Sequence, residues 1–369
     1  MTNRHKRKQA SGRRPTARAG NPARRARALH RQAVVIDAQG VALLLPAVHL
    51  PPPERDGKSY IDRAFAAGLT ALNTTLGQGP IAAGADDLRG LLGSIYGYLA
   101  HIELHPQKLV LVETADDILT AKAAGKLGVI FGVQGLAPKI EGDLTLISIL
   151  HKLGLRVAML TLNDRNAIGC GCLEPSDSGL TQYGRACVRE LNRAGILVDV
   201  AHAGERTARD AIELSERPCI VSHANLRALA DHPRNVTDEM LKALAENGGV
   251  IGVTAYAPFI RDRRKGRATI EHMIDHVAYG ADLVGIDHVG IGSDHFEAES
   301  DIRYAAFATW FPGSQRGYLR KEVNVAGFER IDEWPRLTAA LLRRGFSDAE
   351  VLKILGGNHL RVFRSAWRG

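Results

Sequence analysis

Residues 196–223 read ILVDVAHAGERTARDAIELSERPCIVSH, a stretch that predicts a buried strand, a helix and a second buried strand. Both strand candidates are short runs rich in β-branched residues, and each ends in a histidine, His202 and His223. The segment between them has the apolar spacing of an amphipathic helix. Because continuous apolar runs are typical of parallel strands that helices cover on both faces, the stretch predicts one strand-helix-strand unit of a parallel sheet.

The same alternation recurs along the chain and predicts an α/β fold, a single-domain (β/α)8 TIM-type barrel. The apolar runs are bounded by glycine or polar turns, and helix-like segments separate them. They occupy residues 33–37, 69–76, 127–134, 155–162, 196–202, 219–223, 250–256 and 289–294. Eight strand and helix repeats close a barrel. A chain of 369 residues with 45% hydrophobic content is long enough for one such core.

The basic character of the chain is concentrated at its beginning. Residues 1–31 hold 11 of the 48 Lys and Arg residues and no Asp or Glu, which leaves 37 basic against 40 acidic residues in the rest. We therefore expect a disordered basic tail over 1–31 and no specific nucleic-acid partner. The tail has no apolar stretch, so we expect no membrane span. Residues 32–369 are expected to form the barrel, with a long loop at 297–335 and closing helices.

The four cysteines are too sparse for a disulfide scaffold, which favours a cytoplasmic location. Cys170 and Cys172 are separated by one glycine, a spacing seen in some metal sites. No second cysteine pair accompanies them, so a structural role is favoured over a zinc site.

Polar residues at the carboxyl ends of the strands are the candidates for chemistry, because barrel enzymes place their active sites there. His202 and His223 end neighbouring strands, and Asp294 ends the eighth. Imidazole is the preferred nitrogen ligand of zinc, and a carboxylate can ligate a metal ion or accept the proton of an attacking water. These three residues are therefore predicted to be metal ligands and catalytic residues.

Three further residues are candidates for substrate binding. Asn163 follows the fourth predicted strand, and Tyr256 ends the seventh. Arg234, in HPRNV, follows the sixth and could hold a substrate carboxylate by a bidentate fork, with a loop salt bridge as the alternative.

Beyond single residues, seven segments of this chain resemble the membrane (renal) dipeptidase family, metallopeptidases of the amidohydrolase superfamily. The likeness extends from about residue 33 to residue 363. Its segments are LTLNDRNAIGCGCLEPSDSGLTQYGR (160–185), NRAGILVDVAHAGERT (192–207), PCIVSHANLRAL (218–229), HPRNVTDEML (232–241), GGVIGVTAYAPF (248–259), HVGIGSD (288–294) and GGNHLRVF (356–363). The resemblance implies an amidohydrolase-like barrel with two metal ions, usually zinc, that hydrolyses dipeptides. Dimers are common in the family, so a homodimer is an expectation.

The resemblance also implies roles for four residues. The histidines that match His202 and His223 bind the second metal ion in the family. The aspartate that matches Asp294 acts at the first metal ion and as general base, and the arginine that matches Arg234 grips the substrate carboxylate.

Three metal-ligand positions of the family are substituted in this chain. The family's first strand ends in an Asp-Gly-His-Asn-Asp-like sequence, whose His and last Asp bind the first metal ion. Gln39 and Val41 stand at these positions here. The glutamate that bridges the two ions is replaced by the neutral Gln134. Because a bridging carboxylate offsets the repulsion between two dications, we expect at most one zinc ion and no dinuclear centre.

Three interpretations of function remain open at this point. The first is a dipeptidase-like hydrolase that acts on a dipeptide-like or amide substrate, with one metal ion held by His202, His223, Asp294 and, weakly, the amide oxygen of Gln134. The second is a metal-independent lyase, dehydratase or isomerase acting on an amino-acid-like substrate in the same pocket. The third is a non-catalytic relative that binds a ligand. All three place a small molecule at the barrel mouth.

Overall fold

The computed structural model describes residues 21–40, 57–77, 87–297 and 319–367, which form nine parallel strands and thirteen α-helices. The strands are β1 (Ile36–Asp37), β2 (Ala71–Leu76), β3 (Leu109–Val112), β4 (Leu127–Val133), β5 (Leu155–Met159), β6 (Leu197–Asp199), β7 (Ile220–Ala224), β8 (Val250–Val253) and β9 (Val289–Ile291). The helices are α1 (Pro22–Gln32), α2 (Tyr60–Ala66), α3 (Leu88–Leu104), α4 (Ala115–Ala123), α5 (Ala137–Ile140), α6 (Thr145–Lys152), α7 (Gln182–Ala194), α8 (Glu205–Leu214), α9 (Asp238–Glu246), α10 (Ile270–Val284), α11 (Trp334–Arg344), α12 (Asp348–Leu352) and α13 (Asn358–Ala366).

Eight of the strands follow one another around a barrel in the order β1-β2-β4-β5-β6-β7-β8-β9. The two ends of this order meet, because the Ala38 amide donates to the Ile291 carbonyl at 3.1 Å and the Asp294 amide donates to the Gln39 carbonyl at 2.8 Å. Each predicted apolar run contains one barrel strand, so the predicted eight-stranded barrel is confirmed. The additional strand β3 pairs only with the first half of β4.

The barrel interior is filled at one end by the C-terminal helix. A buried cluster takes one residue from each of seven barrel strands and adds side chains of α13. Its strand members are Ile36, Ala71, Ile130, Val157, Leu197, Ile220 and Val250. The Phe363 ring of α13 stacks on Trp367 with centroids 4.3 Å apart, and the Trp367 indole donates to the Arg156 carbonyl at 3.0 Å. This end of the barrel is therefore packed, which leaves the opposite end for a site.

The expected disordered tail over 1–31 is wrong for its last part, because residues 22–31 belong to α1. Asn21 caps this helix by accepting from the Ala23 amide at 3.0 Å, and a proline opens it. Ala26, Leu29 and His30 form its buried face, and His30 contacts Thr338 of α11 at 2.7 Å. The many arginines of this segment obscured the amphipathic pattern of its sequence. Residues 1–20 lie outside the described residues.

Parts of the predicted loop 297–335 are ordered. Two 3-10 turns lie at Arg320–Glu322 and Ile331–Glu333, and α11 begins at Trp334, while residues 298–318 lie outside the described residues. No helix in the described ranges combines the length and the apolar character that a membrane span needs.

Near the packed end, α13 buries an imidazole that has no hydrogen-bond partner among the described residues. Both ring nitrogens of His359 are unpaired, and the ring fits only because Gly290 of β9 has no side chain: a Cβ there would lie 2.3 Å from it. Burial lowers the pKa of His359 to about 3, and the nearby Arg361 adds to this effect. The folded chain therefore keeps this ring neutral.

The first prediction concerns acid stability. Below pH 6.5 the unfolded chain protonates His359 and the folded chain does not, so stability is lost as the pH falls toward 3. We expect His359→Leu to lose about 2 kcal/mol less unfolding free energy than the wild type between pH 7 and pH 5. Urea denaturation at the two pH values measures this. Equal losses of unfolding free energy in the wild type and in His359→Leu between the two pH values would contradict the assignment.

Candidate active site

Two imidazole rings meet at the open end of the barrel. His202 follows β6 and His223 lies in β7, so the neighbouring strands carry both rings to the same edge. Their Nε2 atoms are 3.0 Å apart, and their ring centroids are 5.0 Å apart at an angle of 59°. Both side chains are buried. The structure therefore brings together two of the three predicted metal ligands.

The Nδ1 atom of each ring is already engaged. Asn163 Oδ1 lies 2.8 Å from His202 Nδ1, and Ser222 Oγ lies 2.8 Å from His223 Nδ1. Because an amide oxygen only accepts, His202 donates from Nδ1 and its Nε2 carries a lone pair. Metal-bound histidines generally have their other nitrogen fixed in this way. Because their Nε2 atoms converge, the two rings fit a single metal ion bound by both.

Burial, assisted by the nearby Arg234 guanidinium, keeps both rings neutral. Burial lowers the pKa of His202 and of His223 well below the ordinary value, and the Arg234 guanidinium lowers both further. Arg234 is itself buried, donates from Nη2 to the His223 carbonyl at 2.9 Å and lies 5.2 Å above the Phe259 ring. Neutral imidazole is the form that ligates metal ions, so these rings are ready to bind one.

Asp294 lies where β9 meets β1, partly exposed, with its backbone held by the Gln39 carbonyl. Burial of its carboxyl group raises the pKa to about 7, and Arg234 opposes this rise. A carboxylate with this pKa is suited to general base catalysis near neutral pH. No three His, Cys, Asp or Glu side chains of the described chain are arranged to hold a metal ion. The structure thus pairs the histidines without assembling Asp294 into a three-ligand group.

His202 and Asp294 both adopt left-handed backbone conformations, with φ of 63° and 49°. Such conformations are strained for residues other than glycine and persist only where surrounding contacts fix them. Asp294 is fixed by its contact with the Gln39 carbonyl. His202 is fixed by the segment 170–173, which we call the strap: its Cys172 amide donates to the His202 carbonyl at 2.7 Å.

The strap also fixes the residue that orients His202. Its Leu173 amide donates to the Asn163 carbonyl at 3.0 Å, and the Cys172 thiol lies 3.6 Å from Asn163 Oδ1. All four cysteines are free. The cysteines of the strap lie in the support of the histidine pair.

A neutral hydrogen-bonded cluster occupies the wall where the family's first metal ion is expected. The amide nitrogens of Gln39 and Gln134 both donate to Thr75 Oγ1, at 2.7 and 3.2 Å, and all three residues are buried. The cluster contains no carboxylate, so these residues do not fit a dication. Val41, the third substituted position, lies outside the described residues.

The other predicted substrate residues lie beside the pair. Asn163 contacts His202 directly, as described above. Tyr256 is buried against Phe259 with ring centroids 4.8 Å apart, and Phe259 in turn carries the Arg234 guanidinium. Tyr256 and Arg234 therefore share one wall of the site, and their contact with substrate stays a prediction.

Comparison with known proteins shows the family to which the chain belongs. The model of the membrane dipeptidase family, peptidase family M19, matches residues 23–302 and 317–368. The chain belongs to this family. The match begins inside α1, consistent with an ordered helix there.

Among individual relatives, an amidohydrolase of Pseudomonas aeruginosa is 31% identical, with a TM-score of 0.78 over 93% of this chain and 99% of that one. A metallopeptidase of Rhodobacter sphaeroides, solved with a phosphinate mimic of the dipeptide L-Ala-D-Ala, is 23% identical, with a TM-score of 0.75 over 91% and 99% of the two chains, and shares the fold. The dipeptidase tcpJ of Claviceps purpurea is 32% identical over 71% of this chain. The chain spans 56% of the length of that fungal protein.

Three residues that support the site, Ser293, Asp199 and Ser222, were not predicted from the sequence. Asp37 and Ser293 join β1 to the end of β9, and Asp199 and Ser222 join β6 to β7. The available signal was an acidic residue inside an otherwise apolar run, as in VDVAH and VVID. A buried acid at such a position requires hydrogen-bond donors on a neighbouring strand.

The second prediction tests the strap. A Cβ at Gly171 would lie 2.1 Å from the Leu162 carbonyl oxygen and 2.2 Å from the Asn163 carbonyl carbon. Gly171→Ala is therefore expected to displace the strap and lower the unfolding free energy by about 2 kcal/mol. The control is Gly93→Ala in α3, where a Cβ meets no atom within 4 Å and alanine is the better helix former. Urea denaturation that gives equal midpoints for the two variants would refute the role of the strap.

Proposed function

We propose that this chain is a dipeptidase-like hydrolase that uses one metal ion, with zinc as the preferred ion. The observation that carries the proposal is the pair of buried, neutral imidazoles of His202 and His223, whose Nε2 atoms converge at 3.0 Å while Asn163 and Ser222 occupy both Nδ1 atoms. Membership of the dipeptidase family supports hydrolysis over the metal-independent and non-catalytic alternatives.

The substrate carboxylate is assigned to Arg234. Its guanidinium is buried, stacks on Phe259 and has one nitrogen, Nε, with no hydrogen-bond partner in the described chain. A planar fork of this kind matches the terminal carboxylate of a dipeptide. Tyr256, which also packs against Phe259, would line the same subsite. We assign a dipeptide-like substrate on this basis.

Asp294 is assigned as the general base. Its raised pKa, about 7, lets it accept a proton from the attacking water near neutral pH and return it to the leaving amine. A zinc ion bound to His202 and His223 would supply Lewis acidity toward the scissile carbonyl. Asn163 holds the first of these rings in its binding orientation.

A single ion is proposed because the wall formed by Gln39, Thr75 and Gln134 is neutral. The amide nitrogens of Gln39 and Gln134 both donate to Thr75, so these side chains are hydrogen-bonded to one another without a metal ion. Gln134 could contribute only its amide oxygen, a weak ligand for zinc.

We further propose a cytoplasmic location, where the four cysteines would stay reduced. A homodimer stays a prediction.

The third prediction tests metal-dependent hydrolysis. The purified chain is expected to bind about one zinc ion, from the single histidine pair, and to hydrolyse dipeptides in a chelator-sensitive manner. His223→Ala should lower kcat/KM by more than about a hundredfold, beyond the loss caused by removing an outer-shell partner. The control His105→Ala removes an exposed imidazole of the segment after α3 and should retain activity.

Three results would contradict the proposal. Turnover of an amino-acid-like substrate in excess chelator would favour a metal-independent lyase, dehydratase or isomerase. Ligand binding without turnover across a broad dipeptide panel would favour a non-catalytic relative. Two tightly bound zinc ions would show that Gln39 and Gln134 do not abolish the first site.

A further inference from the structure

The neutral wall of the barrel mouth, formed by Gln39, Thr75 and Gln134, directs its side chains into the barrel interior. Ala71 and Ile130 belong to the interior cluster at the packed end, and Thr75 and Gln134 follow them by four residues along β2 and β4. Residues four apart on a strand share one face, so both side chains point inward, nearer the open end. Gln39 joins them through its hydrogen bond to Thr75. The wall therefore faces the space that a substrate would enter.

The hydrogen bonds of Gln39 fix the orientation of its side-chain amide. Nε2 donates to the Thr75 hydroxyl at 2.7 Å and to the Gly40 carbonyl at 3.2 Å, so both amide hydrogens are engaged. Because the Gly40 carbonyl only accepts, the nitrogen and the oxygen of the amide cannot be exchanged. The side-chain oxygen, Oε1, accepts no hydrogen bond from the described residues. Gln39 therefore offers one acceptor atom to a ligand.

The surroundings of Gln39 favour a ligand that donates hydrogen bonds and carries positive charge. A second amide oxygen, Asn73 Oδ1, is buried without a partner in the described chain, while its Nδ2 donates to the Ala38 carbonyl at 2.8 Å. Two acidic residues contact the Gln39 backbone. Asp37 Oδ1 accepts from the Gln39 amide at 3.3 Å, and the Asp294 amide donates to the Gln39 carbonyl at 2.8 Å. Acceptors and carboxyl groups thus border Gln39 on both sides.

An ammonium group fits this wall better than a dication does. A dication needs anionic ligands, which the wall does not supply. An ammonium group has three N–H donors and no acceptor, so neutral oxygens are sufficient partners for it. Lys139 gives an example at the same wall, because its buried ammonium group donates to the carbonyls of Gln134 and Gly135 at 2.9 and 3.1 Å.

Arg234 lies across the barrel from this wall. Strand β2, which carries Thr75, and strand β7, whose His223 carbonyl accepts from Arg234, are four positions apart in the eight-strand order. A dipeptide at neutral pH carries a carboxylate at one end and an ammonium group at the other. With its carboxylate at Arg234, its ammonium group would point toward Gln39, and the peptide bond would lie between the two walls.

We propose that Gln39 is a specificity-determining residue whose side-chain oxygen binds the ammonium group of a substrate with a free amino terminus. The ammonium group takes the place where the family's first metal ion is expected. The inference rests on the proposed function, which assigns the substrate carboxylate to Arg234. It narrows the substrate class to peptides with a free α-amino group and disfavours N-acyl amino acids that lack one.

Two probes that differ only in the ammonium group test this subsite. Propionylalanine is alanylalanine without its α-amino group, and calorimetric titration in excess chelator measures the binding of both probes without metal or turnover. The wild type should bind alanylalanine about 10- to 100-fold more tightly, the range expected of a hydrogen bond to a charged group. Equal affinities, or no measurable binding of either probe, would overturn the proposal.

Variants at Gln39 assign the preference to its amide. Gln39→Leu should lose about 10- to 100-fold in affinity for alanylalanine and keep the wild-type affinity for propionylalanine, so the second probe reports whether the variant is folded. Gln39→Glu places a carboxylate there and should widen the preference for alanylalanine. The matched control Gln107→Leu, in the exposed turn after α3, should bind both probes as the wild type does. A wild-type preference retained in Gln39→Leu would contradict the assignment.

Hydrolysis assays separate this inference from the proposed function. A wild type that binds no zinc and hydrolyses neither probe, but prefers alanylalanine in a Gln39-dependent manner, would contradict the proposed function alone. Hydrolysis of propionylalanine with the same kcat/KM as alanylalanine would contradict the ammonium subsite and leave the proposed function in place.

Discussion

The close approach of two buried imidazole nitrogens is the constraint on which the rest of the site depends. With Nε2 atoms of His202 and His223 3.0 Å apart, two lone pairs would face each other unless a hydrogen or a cation lies between them. Each ring must therefore be fixed at its other nitrogen, and Asn163 and Ser222 do this. The strap, the strained backbone of His202 and the hydrogen bond from the Ser222 amide to Asp199 all help to hold these two rings in place.

The wall formed by Gln39, Thr75 and Gln134 is neutral and hydrogen-bonded. A two-metal centre needs anionic ligands between its ions, and the described wall offers two amides joined through the Thr75 hydroxyl. Amides and a hydroxyl satisfy one another without a metal ion, so this wall is stable when neutral. Arg234 and Asp294 add one cation and one group that titrates near neutral pH. The arrangement is consistent with a dipeptidase framework reduced to one metal position.

The fold could be predicted from the sequence because the barrel strands lie in short, mainly apolar runs that alternate with helix-like segments, a signal that needs no knowledge of distant contacts. Strand β3 was missed because it is a four-residue run that pairs with half of one strand. Helix α1 was missed because its arginines hide a narrow apolar face. His202 and His223 could be placed together because neighbouring parallel strands end at one edge. Their supports could not, since Asn163 and His202 are 39 positions apart and are brought together only in the folded chain, where the strap bonds to both.

The central claim is a single metal position between the two histidines. Anomalous diffraction at the zinc edge, from crystals grown with zinc, tests it most directly. The account predicts one peak about 2.0–2.1 Å from Nε2 of both His202 and His223, with no peak beside Gln39 and Gln134. Two peaks about 3.5–4 Å apart, as in a dinuclear centre, or no peak at the histidine pair, would contradict it.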